Sequence, residues 1–235
     1  MRAAVDEVRF FNHPVLVTFL LSWSVGVVDT YGYEKYGVFT TNQAGNLVVL
    51  ASEPWEDWSR SGLAVLSLLG AVGGVALGLL LRGRFPGPLG LRVAVPIGGG
   101  AAVLTAVAVL SLLSLENPWV SVPMVSLGMT CVAVGVFETP AMRGWLTANT
   151  GSFLHGVAYS TRWLDAHWRP ATTQLAKAGA LMTLGFVSGA FCHSMGLLNK
   201  PHPLLYGLIP MVVTVVLAIR GDQKQRRAEA LAQNA

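Results

Sequence analysis

Long apolar runs alternate with short polar interruptions along this chain. A helix that crosses a hydrocarbon core of about 30 Å needs about 20 apolar residues. Six stretches reach or approach that length: 14–33, 62–81, 93–115, 119–138, 178–198 and 204–219. Two others, 38–52 and 142–158, are too short and too polar to be spans of the same kind. They share one order of features, because Phe39, Thr41, Gln43 and Gly45 recur at a constant spacing as Trp145, Thr147, Asn149 and Gly151. The pattern predicts an all-α polytopic membrane protein with six spans, in which each half carries a short re-entrant or broken helical segment.

The recurrence extends beyond these two segments. Leu69, Gly70 and Gly74 in the second span match Leu184, Gly185 and Gly189 in the fifth, and Val95-Pro96-Ile97 matches Ile209-Pro210-Met211. Each half has three spans, an odd number, so the second half must enter the bilayer from the opposite side as an inverted repeat. Residues 1–90 then hold the first two spans and the first re-entrant segment, and 91–117 the span that closes the first repeat. Residues 118–220 form the second repeat, and 221–235 a tail. Gly70, Gly74 and Gly78 share one helix face, the arrangement that lets another backbone approach closely. A homodimer, if one forms, would use this face.

Composition agrees with the pattern, since 53% of the residues are hydrophobic and 12% charged, against about 25% charged in soluble domains. The net charge of +4 does not indicate nucleic acid, because Lys and Arg border the apolar runs instead of forming a patch with interleaved aromatics. If segments 38–52 and 142–158 dip in and return, every Lys and Arg except Lys35, Arg60 and Lys200 falls on one side. The positive-inside rule makes that side cytoplasmic and puts both termini there. No removed signal peptide is expected, since no small-residue cleavage site follows the first apolar run. Cys131 and Cys192 lie in apolar runs without disulfide or metal spacing, so neither a cofactor nor a metal is expected.

Asp29 shares a helix face with Ser22 and Gly26, and a carboxylate inside a span needs a polar partner or a wet cavity. It is read either as a coupling group for a proton or cation, or as a cap on the broken helix start at Thr40 or Thr41. Glu138 stands in the same relation to Cys131 and Gly135, which makes it a second coupling candidate, and His193 in the fifth span is a third. Thr41, Asn42, Gln43, Gly45 and Asn46 in the first interruption, with Thr147, Asn149, Thr150, Gly151 and Ser152 in the second, are the candidate substrate-binding residues. Irregular backbone at membrane depth must be buried in protein or line water, so these groups either bind solute or tie the breaks together. His13, His167 and His202 flank spans and read as interfacial. GxSxG, HExxH and Walker motifs are absent, so no enzyme is expected.

Gly26-Val-Val-Asp29, Gly37 to Asn46, Ser126 to Met129, Thr147 to Gly151 and Gly185 to Gly189 come in an order that resembles the YoaK-like bacterial membrane proteins, a domain of unknown function. The resemblance covers nearly the whole chain and implies a bacterial inner-membrane protein of about six spans. Ala44 stands where the family has Thr, and Thr130-Cys131 follows Gly128-Met129 where the family has Gln-Asn. The second departure offers a rival pairing in which Cys131, not Glu138, is the counterpart of Asp29. The combined expectation is a small secondary transporter or permease for a small polar or anionic solute, working by alternating access with proton or cation coupling. A passive channel or a membrane scaffold is the alternative.

Overall fold

The computed structural model describes residues 14–52, 58–85, 87–136, 170–198, 200 and 202–233. They form seven helices: α1 (Pro14–Tyr36), α2 (Gln43–Ser52), α3 (Trp58–Arg84), α4 (Leu89–Leu112), α5 (Pro118–Val136), α6 (Pro170–Ser194) and α7 (Pro203–Gln233). There is no strand among the described residues. The six longer helices coincide with the six apolar runs. Of these, α3, α4, α5 and Pro203–Lys224 of α7 are long and apolar enough to cross a membrane.

Local chemistry sets the helix ends. Proline opens α1, α5, α6 and α7, at the position where a missing N–H costs no hydrogen bond. Asn42 caps α2 by accepting the Gly45 N–H at 3.3 Å, and Asn117 caps α5 by accepting the Trp119 N–H at 3.0 Å. Gly37 stops α1 with φ +73°, the left-handed conformation that glycine adopts without penalty. Its N–H bonds back to the Tyr33 carbonyl at 2.9 Å.

The core is formed by α1, α4, α5 and α7, through Leu21, Val28, Ile97, Leu104, Val125, Val132, Leu204 and Met211 among others. The two remaining long helices lie outside it, α3 against α5 and α6 against α1, and each seam is made by glycines. A Cβ at Gly70 would strike the Pro123 carbonyl and one at Gly74 the Leu127 carbonyl. On the other seam a Cβ at Gly185 would strike the Phe19 carbonyl and one at Gly189 the Trp23 carbonyl. Numbering rises together on both seams, so each pair is parallel. The other α5 contacts, Gly100 with Gly128 and Val93 with Gly135, run the opposite way and make α4 antiparallel to α5. The outward faces of α3 and α6 expose Leu69, Val72, Leu79, Leu184 and Val187, as a lipid-facing surface does.

Between α1 and α3 the chain doubles back. After Gly37 it runs down beside α1 until the Thr40 hydroxyl donates to the Val28 carbonyl at 3.2 Å. That is about 12 Å below the end of α1 at the usual helical rise. At the start of α3 the Arg60 Nε–H donates to the Gly37 carbonyl at 2.7 Å. So α1 ends and α3 begins at the same end of the bundle, and 38–52 leaves that end and returns to it.

Candidate functional site

The deepest part of the dip is held by a single carboxylate. Asp29, 2% exposed on α1, accepts through Oδ1 the backbone N–H groups of Thr41 at 2.8 Å, Thr40 at 2.9 Å and Asn42 at 3.4 Å. These are orphan donors ahead of α2, and a charged acceptor makes such bonds short and strong. This is the geometry of a cap, one of the two roles read from the sequence.

The polar side chains of the dip close a network with α3 and α5. Asn46, fully buried, brackets Phe39, accepting its N–H at 2.9 Å and donating to its carbonyl at 2.7 Å. Its amide also reaches Ser67 Oγ of α3 at 3.0 Å. Gln43 donates to Ser126 Oγ of α5 at 2.9 Å, and Ser126 in turn donates to the Ser67 carbonyl at 2.7 Å. Gly45 is present for packing, because a Cβ there would press into the Phe39 ring. Thr41 differs from its neighbours: its hydroxyl oxygen is buried beside the Asp29 carboxylate without a hydrogen bond of normal geometry.

A second polar cluster lies at the end of the bundle where α1 stops. Glu116, in the α4–α5 turn, receives Tyr31 OH at 2.9 Å and also binds Lys35, Tyr36 and Ser111. His202, just ahead of α7 and 7% exposed, sits 2.9 Å from Ser111 Oγ and 3.4 Å from Tyr31 OH through Nε2. Burial pushes its imidazole below the ordinary value, the Lys35 ammonium adds to that, and the Glu116 carboxylate opposes it. His193 of α6 packs edge-on against the Tyr31 ring and places Nε2 3.3 Å from Glu34 Oε2, while its Nδ1 is buried without a partner. The Ser194 hydroxyl donates to the other oxygen of Glu34 at 2.6 Å.

The structure therefore brings Asp29, Thr41, Asn42, Gln43, Gly45 and Asn46 together and places His193 in a separate cluster near the end of α1. Glu138, Thr147, Asn149, Thr150, Gly151 and Ser152 lie outside the described residues. The family described as "Protein of unknown function (DUF1275)" matches residues 17–220. The chain belongs to the DUF1275 family. The YoaK-like proteins that its motifs resemble are in the same family. No curated protein and no solved structure matches this DUF1275 chain.

Sequence reasoning missed the hub of the second cluster. Lys35 entered only as a topology charge, and His202 was read as interfacial, whereas it is buried. Tyr31 and Lys35 are one helical turn apart, which is a local signal. Nothing local marks their common partner Glu116, 85 positions from Tyr31.

Proposed function

We propose that this DUF1275 protein moves a small polar or anionic solute across the bacterial inner membrane by alternating access, coupled to a proton or cation. The observation that carries the reading is the matched pair of glycine seams. Gly70 and Gly74 meet Pro123 and Leu127 as Gly185 and Gly189 meet Phe19 and Trp23. Exchanging the halves turns one seam into the other, which supports two inverted three-span repeats, six spans and termini on the cytoplasmic side. In this register the α5 counterpart of Ser22 is Ser126 and that of Asp29 is Ala133.

The two parallel pairs, α1 with α6 and α3 with α5, are the bodies that rock. Through Gln43, Asn46, Ser67 and Ser126 the dip is tied to the α3–α5 pair, and Asp29, with the Thr40 hydroxyl on the Val28 carbonyl, fastens it to α1. Neutralising that carboxylate weakens the bonds to Thr40, Thr41 and Asn42 and loosens the dip from α1. The Thr41 hydroxyl is the group in the dip left to meet solute, with Asn42 beside it. Thr147, Asn149, Thr150, Gly151 and Ser152, their sequence counterparts in the second half, are the further candidates for solute and lie outside the described residues. Glu116, bound by α1 side chains, is a second fastening at the outer end.

The test is reconstitution in vesicles holding a pH-sensitive dye, challenged with a panel of small organic acids. Wild-type protein should carry one of them with a change in lumenal pH. Asp29→Asn should lower that coupled flux about tenfold or more, the effect of losing a charge-assisted interaction. Equal flux in the variant removes Asp29 from coupling. Flux indifferent to the gradient identifies a passive pore.

A further inference from the structure

At the opposite end of the bundle from Glu116, a cavity of about 400 Å³ is lined by Leu79, Arg82, Gly83, Gly87 and Arg92. We propose that it holds the phosphate of an anionic phospholipid, with one acyl chain lying along α3. This site does not depend on whether the protein transports anything.

Three observations meet here. Arg82 and Arg92 are both half-buried, and the chain from 82 to 92 contains a further cation, Arg84, but no acid. Both lining arginines are engaged within the protein, yet a guanidinium carries five N–H groups and can still present a second edge to a phosphate. Next, there is open space beside Gly83, since a Cβ there would meet nothing within 4 Å.

The third observation is an apolar track that leads out of it. Val72, Val75 and Leu79 are 68%, 43% and 51% exposed, and their helical spacing puts them on one stripe that runs into Arg82 and Gly83. From Val72 to Gly83 the stripe spans about 16 Å at the usual rise. One leaflet of hydrocarbon is about 15 Å deep, half of a typical core. A free anion would use the arginines and leave this track bare, whereas a phospholipid uses both. Basic pockets between spans on the cytoplasmic side are where acidic headgroups are held.

The experiment is thermal unfolding and native mass spectrometry of the full-length protein in neutral detergent. The probes are phosphatidylglycerol, phosphatidylcholine and inorganic phosphate at matched concentrations. Phosphatidylglycerol should raise Tm and remain bound, while phosphatidylcholine and inorganic phosphate should not. Arg82→Gln with Arg92→Gln should weaken phosphatidylglycerol binding about tenfold or more. Gly83→Leu, which fills the cavity but keeps both arginines, should do the same and guards against misfolding of the double variant. Arg226→Gln with Arg227→Gln in the tail should leave binding unchanged. The proposal is overturned if inorganic phosphate or phosphatidylcholine stabilises equally, or if binding survives Gly83→Leu, or if it is lost with the tail arginines.

Discussion

Asp29 shows how much one side chain decides. A carboxylate in a span was visible at once, and so was its choice between coupling and capping. What could not be read was its distance from residues 40 to 42, which depends on the turn at Gly37. With three backbone N–H groups on one oxygen, Asp29→Ala should destabilise the protein by about 2–3 kcal/mol, the range for lost bonds to a charged acceptor. Thermal unfolding in detergent would show this, and an unchanged Tm would mean that the dip holds without its anchor. His202 gives a pH prediction. Its native imidazole titrates below the unfolded value, so the unfolded chain takes up the proton first as pH falls below about 6.5. Stability should therefore be unaffected by this group above that pH and decline beneath it. His202→Gln should flatten the acid limb of a Tm–pH curve between pH 7 and 5, and an unaltered limb would assign it elsewhere.

Among the elements, the helices were legible because their signals are local: span-length apolar runs, a proline at the start, a glycine or asparagine at a cap. The glycine faces of α3 and α6 were legible too, but not what they face. Packing separates glycines that look alike in the sequence. Gly74→Val and Gly189→Val should each cost about 2 kcal/mol or more, because each side chain would meet a neighbouring carbonyl that cannot withdraw. Gly98, by contrast, has nothing within 4 Å of where a Cβ would stand. Gly98→Ala should be neutral or gain up to about 1 kcal/mol from helix propensity. Unfolding midpoints of the three variants test the contrast, and a costly Gly98→Ala would undo the packing assignment.

For the whole molecule, the direction of each helix follows from which ends meet. Gly37 touches Arg60, so the dip returns to the side it left. Glu116 ahead of α5 meets Tyr31 and Lys35 near the end of α1, so α1 and α5 run in opposite directions. With six crossings, Arg84 and Ser114 lie on opposite faces of the bilayer. Cysteines introduced as Arg84→Cys and Ser114→Cys should react with an impermeant maleimide from opposite sides in oriented vesicles. Labelling of both from one side would break the six-span arrangement and the inverted pairing with it.

Hydrophobic periodicity, glycine spacing and the recurrence of short motifs were enough, taken as sequence, to determine helices, their approximate limits, a membrane setting and a polar interruption worth attention. These depend on neighbours along the chain. The partners of that interruption depend on neighbours in space, and only the folded bundle decided them. The three backbone N–H groups that Asp29 accepts come to it only because Gly37 turns the chain back. The helices that the glycine faces of α3 and α6 pack against were likewise set only by close approach in the fold. Glu116 carried no mark at all, because a hub is created by the meeting of several helix ends and no single stretch encodes that meeting.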